Sequence, residues 1–360
     1  MVLCRIVIAM DILRTIGRYD IMVETSEPCG ISLEEAALTH LDSSQRLSLS
    51  KREILNILAN GDDYYPLTMR WELLDFCNFS CPFCYIVGHS FNKVVRFSEI
   101  QSDVQDLIDA GLLFCTLTGG EVTQHPDFAT IYRFLKERGV VIEVFTNGLA
   151  INDQLIKLFI ELPPVAVEVS VYSLHNDKLH DTYHVRHQNP AEAILSNILN
   201  MKQAGINVVC KTFLNTVTQS DVEEIVLWCS SNGIKHYSSS EITQAYDGVN
   251  LGHFAVSPLL FPATQHKQNI CMQCGTKNYG SAINSAFQIF PCPAINLKDC
   301  TFDLRSVGVA ESLRLMKAFM RRYQDSVIRR NSKGTGCSTC IAYARPKRNE
   351  SGEIIYFEDA

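Results

Sequence analysis

Three cysteines fall within eight positions of this 360-residue chain, at Cys77, Cys81 and Cys84, directly after an apolar run that ends at Phe76. Thiolates crowded this closely need a positive partner, and a metal ion or metal cluster is the usual one. A structural zinc ion takes four ligands, but no fourth cysteine follows promptly and the nearest histidine is His89. In a four-iron cluster, three thiolates leave one iron open to an outside ligand. Burial of all three in a core is disfavoured, because structural cysteines rarely cluster on one tight loop.

The stretch 66–263 alternates between strand-like and helix-like segments. Strands are predicted at 67–74, 112–117, 140–146, 165–172, 206–214 and from 234, and helices at 98–110, 128–138, 153–162, 191–204 and 220–232. Ser98 caps the first helix, and Gly139, Gly205 and Gly233 end three others. The strands are rich in Val, Ile and Phe, as buried parallel strands are. Six such units with right-handed crossovers curve into a parallel barrel, and six are too few to close an eight-stranded one.

Functional groups of such a barrel belong at the C-terminal ends of its strands, where the polar motifs fall. The cysteine loop follows the first strand, and Gly119-Gly120-Glu121 follows the second. The later strands contribute polar side chains in the same way: Thr146-Asn147-Gly148 after the third, Ser170 at the end of the fourth, and Lys211 on the fifth.

Together these motifs resemble those of the radical S-adenosylmethionine (SAM) enzymes. The cysteine spacing carries the resemblance, as does the aromatic Tyr85 after the third cysteine. The resemblance implies that Cys77, Cys81 and Cys84 hold a [4Fe-4S] cluster whose fourth iron binds SAM. It also implies an α/β fold, the open six-unit (β/α)6 partial TIM barrel, with a small C-terminal cysteine-rich extension.

The same resemblance predicts cofactor contacts for several other residues. Gly119-Gly120-Glu121 resembles the motif for the SAM amino group, in which the glycines admit a close ligand and Glu121 either anchors the ammonium or steadies the loop. Tyr85 and Asn147 lie in segments familiar from the family, for which the resemblance predicts contacts to SAM, and Ser170 stands where relatives have a polar contact to SAM. Lys211 either pairs with the SAM carboxylate or is simply solvated.

Cysteines return beyond residue 265, in a region that resembles the twitch or shortened SPASM extension of the family. The resemblance implies an auxiliary [4Fe-4S] cluster held by Cys274, Cys292, Cys337 and Cys340. Cys271 is an alternative to Cys274, and a zinc site made by the same four residues is the rival interpretation. The family often has a glycine five residues before the second ligand, where this chain has Phe287. A short strand is predicted at 286–292 and a helix at about 309–323.

The predicted domains are an N-terminal extension (1–63), the barrel (64–265), the auxiliary cluster domain (266–345) and a tail (346–360). The extension begins with a strand-like stretch at 6–8, continues through polar loops and ends with a helix capped by Ser50. It is interpreted either as a peptide-recognition module or as a helical extension that packs on the barrel. The histidines at 175, 180, 184 and 187 are predicted to lie in a loop near the substrate mouth, and their irregular spacing disfavours a second metal.

The composition of the chain indicates its cellular compartment and the kinds of partner that it can bind. No apolar run approaches the ~20 residues of a membrane span. The chain has fourteen cysteines, and the pairing of several of them at metal-ligand spacings favours a reduced, cytoplasmic protein. The net charge is −7, yet the stretch 314–348 carries ten Lys or Arg and one acid. This basic stretch is either a surface for an acidic leader peptide or a solvated helix face. No recognisable module pairs it with stacking aromatic residues, so nucleic acid is not expected.

The resemblance predicts a SAM-derived 5′-deoxyadenosyl radical that modifies a ribosomally synthesised peptide by cross-linking, epimerisation or thioether formation. The alternative is a dehydrogenase of a small alcohol or aminocyclitol. A third hypothesis, a non-catalytic metal-stabilised scaffold, is disfavoured by the SAM motifs. The expected partners are a leader-bearing precursor peptide or a small molecule, together with an external electron donor such as a flavodoxin or ferredoxin.

Overall fold

The structure is a computed structural model of the chain. It describes residues 11–16, 19–24, 30–35, 66–86, 94–240, 245–246, 251–255, 280–293, 300–331, 347–348 and 354–355. The predicted segments at 6–8 and 50–58 lie outside these residues.

The N-terminal part contains three strands, β1 (Asp11–Ile16), β2 (Tyr19–Glu24) and β3 (Gly30–Glu35). They form an antiparallel sheet in the order β1-β2-β3, in which Asp11 is paired with Glu24 and Tyr19 with Glu35. The sequence predicted polar loops here. The strands alternate apolar and polar residues only over short runs, which explains why the pattern was weak.

Six parallel strands form the centre of the structure in the sequential order β4 to β9. They are β4 (Thr68–Glu72), β5 (Phe114–Thr118), β6 (Val141–Thr146), β7 (Ala166–Ser170), β8 (Val208–Phe213) and β9 (Lys235–Ser239). The helices between them are α1 (Phe97–Asp109), α2 (Phe128–Lys136), α3 (Asp153–Glu161), α4 (Asn176–Tyr183), α5 (Pro190–Gln203) and α6 (Val222–Ser231). The six-unit α/β architecture predicted from the sequence is confirmed.

A second group of strands extends the sheet from its β4 edge. Strand β10 (Gly280–Ile283) pairs parallel to β4, and β11 (Gln288–Phe290) and β12 (Phe302–Asp303) follow antiparallel. Among the described residues, this sheet therefore has nine strands, in the order β12-β11-β10-β4-β5-β6-β7-β8-β9. The sequence predicted the short strand now seen as β11 but not its attachment to the barrel.

Beyond the sheet lie α7 (Leu304–Val307), α8 (Val309–Asn331) and the strand pair β13 (Lys347–Arg348) and β14 (Ile354–Ile355). Helix α8 starts where the sequence predicted but continues eight residues past the predicted end at 323.

The two faces of the barrel sheet differ in chemistry because successive side chains of a strand point to opposite faces. One face lies under the helices and is apolar, with Trp71, Leu117, Val144 and Val169 in the main hydrophobic cluster. The other face carries charged and polar residues at the alternate positions: Arg70, Glu72, Thr116, Glu143, Glu168, Ser170 and Lys211. The barrel thus has an apolar outer core and a polar inner face.

Two local predictions are wrong. Ser98 does not cap α1, which begins one residue earlier at Phe97. The Phe97 backbone N–H instead donates to the Asp127 carboxylate at 2.9 Å, and Arg96 binds the same carboxylate. The loop prediction for the histidines is wrong for His180, which lies in α4 (residues 176–183), whereas His175, His184 and His187 lie outside that helix. Gly139, Gly205 and Gly233 all adopt positive φ after their helices, as predicted for helix ends.

Candidate active site

The cysteine loop is bound along its backbone to the loop that follows β5. The Leu73 N–H donates to the Thr118 carbonyl at 2.9 Å, the Gly120 N–H donates to the Leu74 carbonyl at 2.5 Å, and the Glu121 N–H donates to the Phe76 carbonyl at 2.9 Å. These three backbone hydrogen bonds extend the pairing of β4 and β5 past the ends of the strands. The chain reaches Cys77 already fixed to its neighbour.

Close approach explains why two glycines stand in the β5 loop. A Cβ on Gly119 would lie 2.4 Å from the Leu74 carbonyl oxygen, and a Cβ on Gly120 would lie 2.1 Å from the Phe76 carbonyl oxygen. Gly119 also has a φ of 139°, a backbone conformation that residues with a side chain rarely adopt. The sequence predicted that the glycines admit a ligand. In the structure, the groups that approach them closely are backbone atoms of the cysteine loop.

Glu121 is fully buried, and its carboxylate accepts four hydrogen bonds. One oxygen receives the backbone N–H and hydroxyl of Thr123 and the hydroxyl of Thr146 (2.6 Å). The other receives the backbone N–H of Asn147 at 2.7 Å. Burial raises the pKa of Glu121, and these donors oppose that rise. A carboxylate has about four acceptor sites, so the contacts favour the loop-steadying role over the ammonium-anchoring one.

Asn147 connects the β6 loop to the cysteines. Its side-chain amide donates to the Asn78 side-chain oxygen at 2.6 Å and lies 3.7 Å from the Cys77 sulfur. The Phe79 N–H points at the same sulfur at 3.4 Å. Two N–H groups therefore face Cys77, which is an arrangement that supports a sulfur carrying negative charge.

The three cysteines are partly exposed and interact electrostatically with one another. Burial in the protein raises the pKa of Cys77 to about 12, with Glu121 and Cys84 adding to the rise. Burial, followed by the other two cysteines, raises the pKa of Cys81 well above its usual value. Two thiols that resist ionisation, with a third beside them, become good ligands once a multiply charged metal centre joins them. The donor set therefore fits a cubane cluster.

An aromatic cluster supports the cysteine loop from below. Phe83, at 6% exposure, is its centre, with ring centroids 5.3 Å from Tyr172, 5.4 Å from Phe213 and 6.2 Å from both Tyr183 and Phe254. These rings come from four separate segments of the chain. Packing of this kind fixes the loop and keeps water from the buried side of the cysteines.

Tyr85 does not face open space. Its hydroxyl donates to Glu72 at 2.8 Å, and the Tyr246 hydroxyl donates to the same carboxylate at 2.8 and 3.0 Å. Burial raises the pKa of Glu72, while the two tyrosines and Arg70 oppose the rise. The Tyr246 N–H also donates to the Tyr85 carbonyl at 2.9 Å. The predicted SAM contact of Tyr85 stays a prediction, and the contacts seen are with this polar group.

Ser170 and Lys211 are register partners on β7 and β8, and both lie on the inner face. The Lys211 ammonium is 3.6 Å from the Glu168 carboxylate and 5.1 Å from the ring centres of Phe145 and Tyr237. Lys211 is therefore not merely solvated. The predicted contacts of both residues with SAM stay predictions.

Of the predicted auxiliary ligands, Cys292 alone lies among the described residues. It is partly exposed and follows β11 by two positions. Cys271, Cys274, Cys337 and Cys340 lie outside the described residues. The described histidines do not gather: His175 pairs with Glu224, and His180 bonds the His187 carbonyl. Within the described ranges, no three His, Cys, Asp or Glu side chains, those of the cysteine loop included, lie close enough together to hold a single metal ion.

Residues 71–229 match the model of the Radical SAM superfamily, and this match spans the cysteine loop and the strands that position it. This segment of the chain belongs to the radical SAM superfamily. Enzymes of this superfamily hold a [4Fe-4S] cluster and SAM, and the matched segment contains the three cysteines of the loop. Among the described residues, no helix is long and apolar enough to cross a membrane.

Curated relatives include two proteins of Bacillus subtilis (strain 168). The sporulation killing factor maturation protein SkfB is 24% identical over 220 residues, which cover 59% of this chain and 53% of SkfB. The antilisterial bacteriocin subtilosin biosynthesis protein AlbA is 26% identical over 154 residues, which cover 41% of this chain and 34% of AlbA. The chain thus spans about half the length of these relatives or less.

Solved structures share the fold. Streptococcus suis SuiB bound to S-adenosylmethionine superposes with a TM-score of 0.57 at 15% identity, covering 85% of this chain and 90% of SuiB. The structure of anSMEcpe with bound AdoMet gives a TM-score of 0.53 at 12% identity, covering 71% and 83% of the two chains.

Several residues of the site were missed by sequence reasoning. Phe83 lies between two of the cysteines, and its apolar side chain was a signal that it faces the core. Glu72 was readable as a charge at the end of a predicted strand. Tyr183 and Tyr246 carried no signal, because each reaches the site only through the path of the folded chain.

Proposed function

We propose that this radical SAM enzyme modifies a ribosomally synthesised peptide. One observation carries the assignment of chemistry: three cysteines stand on a loop that is bound through backbone hydrogen bonds to the Gly119-Gly120-Glu121 loop and through Asn147 to the β6 loop. All three loops lie at the C-terminal ends of parallel strands, where barrels of this type place their active sites.

When bound, the cluster and SAM supply a 5′-deoxyadenosyl radical that removes a hydrogen atom from an unreactive carbon. In this proposal, Cys77, Cys81 and Cys84 hold the cluster. Asn147 and the Phe79 N–H orient and support the Cys77 sulfur, and Glu121 holds Asn147 in place. The aromatic residues around Phe83 exclude water from one side, which protects a reactive radical from side reactions.

The inner face of the barrel is the surface that we propose for the substrate. Arg70 and Lys211 approach the same ring, that of Phe145, at 5.5 and 5.1 Å from its centre. The Arg70 guanidinium interacts electrostatically with Glu72 and Glu168. One Glu168 carboxylate oxygen is buried there and accepts no hydrogen bond in the described part of the chain, although the Lys211 ammonium lies 3.6 Å from it. Charged groups gathered on one concave face favour a polar substrate.

Two further observations support a peptide substrate. The names of SkfB and AlbA refer to maturation of a killing factor and biosynthesis of a bacteriocin. The three-stranded sheet β1–β3 has two outer strands, and in the described residues each of them pairs on one side only. An extended leader peptide can add to such an edge as a further strand.

We further propose that Cys274, Cys292, Cys337 and Cys340 hold an auxiliary [4Fe-4S] cluster. Anaerobically reconstituted protein is then expected to contain about eight irons per chain, as two cubanes give, and about four in a Cys292→Ala variant. Cys300→Ala is the matched control, because Cys300 is fully buried and belongs to no proposed ligand set. About four irons in the unaltered protein would remove the auxiliary cluster.

The function is tested with the reduced, reconstituted enzyme, SAM and candidate peptides encoded beside it. Mass spectrometry is expected to show a peptide lighter by two hydrogens for oxidation or cross-linking, or deuterium uptake from solvent for epimerisation. Cys77→Ala should abolish SAM cleavage, whereas Cys115→Ala, which changes a buried core cysteine, should retain it. Turnover of a small alcohol or aminocyclitol with no change in any peptide would overturn the peptide proposal in favour of a dehydrogenase.

A further inference from the structure

Tyr183 is the last residue of α4 and lies directly beneath the cysteine loop. Its backbone carbonyl accepts the Ser80 N–H at 2.8 Å. Its ring is stacked on Tyr172 at 5.4 Å with an interplanar angle of 16°, and it contacts Phe79 and Phe83 at 6.4 and 6.2 Å. Both the backbone and the ring of Tyr183 are therefore fixed to the segment that carries the cysteines.

The hydroxyl of Tyr183 is the unexplained group. The residue is 0% exposed, and its hydroxyl has no hydrogen-bond partner among the residues that the structure describes. A buried hydroxyl without a partner destabilises a protein by about 1–3 kcal/mol, and phenylalanine would fill the same space without that cost. The hydroxyl therefore indicates a partner beyond the described side chains.

Two groups interact electrostatically with the Tyr183 side chain, namely Cys81 and Asp221. Asp221 is already bound by Lys178 and by the Ser220 hydroxyl at 2.8 Å. Cys81 is a proposed cluster ligand, and an iron-bound thiolate is a good acceptor for a hydroxyl. The neighbouring Tyr172 also interacts electrostatically with Cys81, but its hydroxyl is hydrogen-bonded to Ser170, whereas the Tyr183 hydroxyl has no partner among the described residues.

We propose that the Tyr183 hydroxyl donates a hydrogen bond to the Cys81 sulfur when the cluster is bound, and that this bond raises the reduction potential of the cluster. A hydrogen bond to a cluster sulfur stabilises the reduced state more than the oxidised one, because reduction adds negative charge. Burial strengthens the effect, since the local dielectric constant is low. Tyr183 is a positioning residue that makes the cluster easier for an electron donor to reduce.

This inference rests on the proposed ligand role of Cys77, Cys81 and Cys84. It is tested with full-length Tyr183→Phe, with Tyr132→Phe as the matched control. Tyr132 is equally buried, but its hydroxyl donates to the Leu162 carbonyl at 2.6 Å on the far side of α2. Both variants lose one buried hydroxyl, and only one of those hydroxyls is assigned to the cluster.

The measurement is a redox titration of the reconstituted proteins, following the paramagnetic signal that changes when SAM is added. The midpoint potential is expected to fall in Tyr183→Phe and to match the unaltered protein in Tyr132→Phe. Thermal unfolding of the metal-free proteins gives a second readout. Tyr132→Phe should unfold at a lower temperature, whereas Tyr183→Phe should not, because its lost hydroxyl made no bond within the metal-free chain.

An unchanged potential in Tyr183→Phe would overturn the inference, as would a loss of stability in its metal-free form, which would indicate a bond to a protein group such as Asp221. If Tyr183→Phe fails to take up iron, 3-fluorotyrosine at position 183 keeps the ring and makes the hydroxyl a stronger donor, so the potential should rise. No change in that protein would also overturn the inference. Absence of any SAM-responsive cluster in the unaltered protein would instead refute the proposed function.

Discussion

Replacing Gly120 by alanine tests whether the cysteine loop depends on close backbone contact. The new Cβ would lie 2.1 Å from the Phe76 carbonyl oxygen and 2.7 Å from that of Asp75. To reach 3.4 Å, the near limit of ordinary contact, the Phe76 oxygen must retreat by about 1.3 Å. That movement breaks its 2.9 Å bond from the Glu121 N–H and displaces the residue that precedes Cys77. Overpacking and the lost bond together destabilise the fold by about 3 kcal/mol.

The assay compares two quantities for Gly120→Ala: the free energy of unfolding of the metal-free protein and the iron bound per chain after anaerobic reconstitution. Gly308→Ala is the control, since its Cβ meets no atom within 4 Å although its φ is 82°. Backbone strain alone costs Gly308→Ala about 1–3 kcal/mol, so the two variants lose comparable stability. Only Gly120→Ala should lose the SAM-binding cluster. Full iron content in Gly120→Ala would refute the reasoning.

Three further predictions concern buried groups. Glu121→Gln places an amide N–H against the Asn147 N–H, so the free energy of unfolding should fall by about 1–3 kcal/mol. Denaturant unfolding measures this change, and an unchanged free energy would contradict the four hydrogen bonds assigned to the Glu121 carboxylate. Burial lowers the pKa of His125, so the stability that this residue contributes is complete above about pH 6.5 and is lost as the pH falls through its folded pKa. The unfolding temperature should therefore fall more steeply below that pH than in His125→Gln, and parallel profiles would contradict this. Phe287 has φ 62° and is buried, so Phe287→Ala should lose about 3–5 kcal/mol and Phe287→Gly about 1 kcal/mol less, whereas equal losses would exclude backbone strain.

The barrel could be predicted from the sequence because its signals are local. Apolar strands of five or six residues alternate with helices that end at glycines. The pattern of each strand–helix unit is contained within about thirty consecutive residues, so it can be recognised from the sequence alone. The cysteine spacing is equally local. Sequence order then placed Asn147 and Ser170 at the ends of successive parallel strands, which is sufficient to bring them to one edge.

The features that the sequence did not predict depend on contacts between residues that are far apart in the chain. Helix α1 is capped by Asp127, thirty residues after its first residue, rather than by the nearby Ser98. Tyr246 reaches Glu72 across 174 positions. Pairing of β10 with β4 likewise joins distant segments. No periodicity in a window of ten or fifteen residues contains such contacts, so they require the folded chain.

Phe287, at a position where the family often has a glycine, shows how a packed aromatic residue can occupy a left-handed backbone position. Strands β10 and β11 are joined by a tight turn in which the Asn284 side chain accepts the N–H groups of Ala286 and Gln288. Such turns need a left-handed residue just before the second strand, where glycine is usual. Phe287 adopts that conformation at φ 62°, and its buried ring packs 5.7 Å from Trp71 on β4. Burial of the ring offsets the backbone strain, so the backbone path towards Cys292 does not depend on glycine. The same ring joins the β10–β11 hairpin to the strand that leads into the cysteine loop.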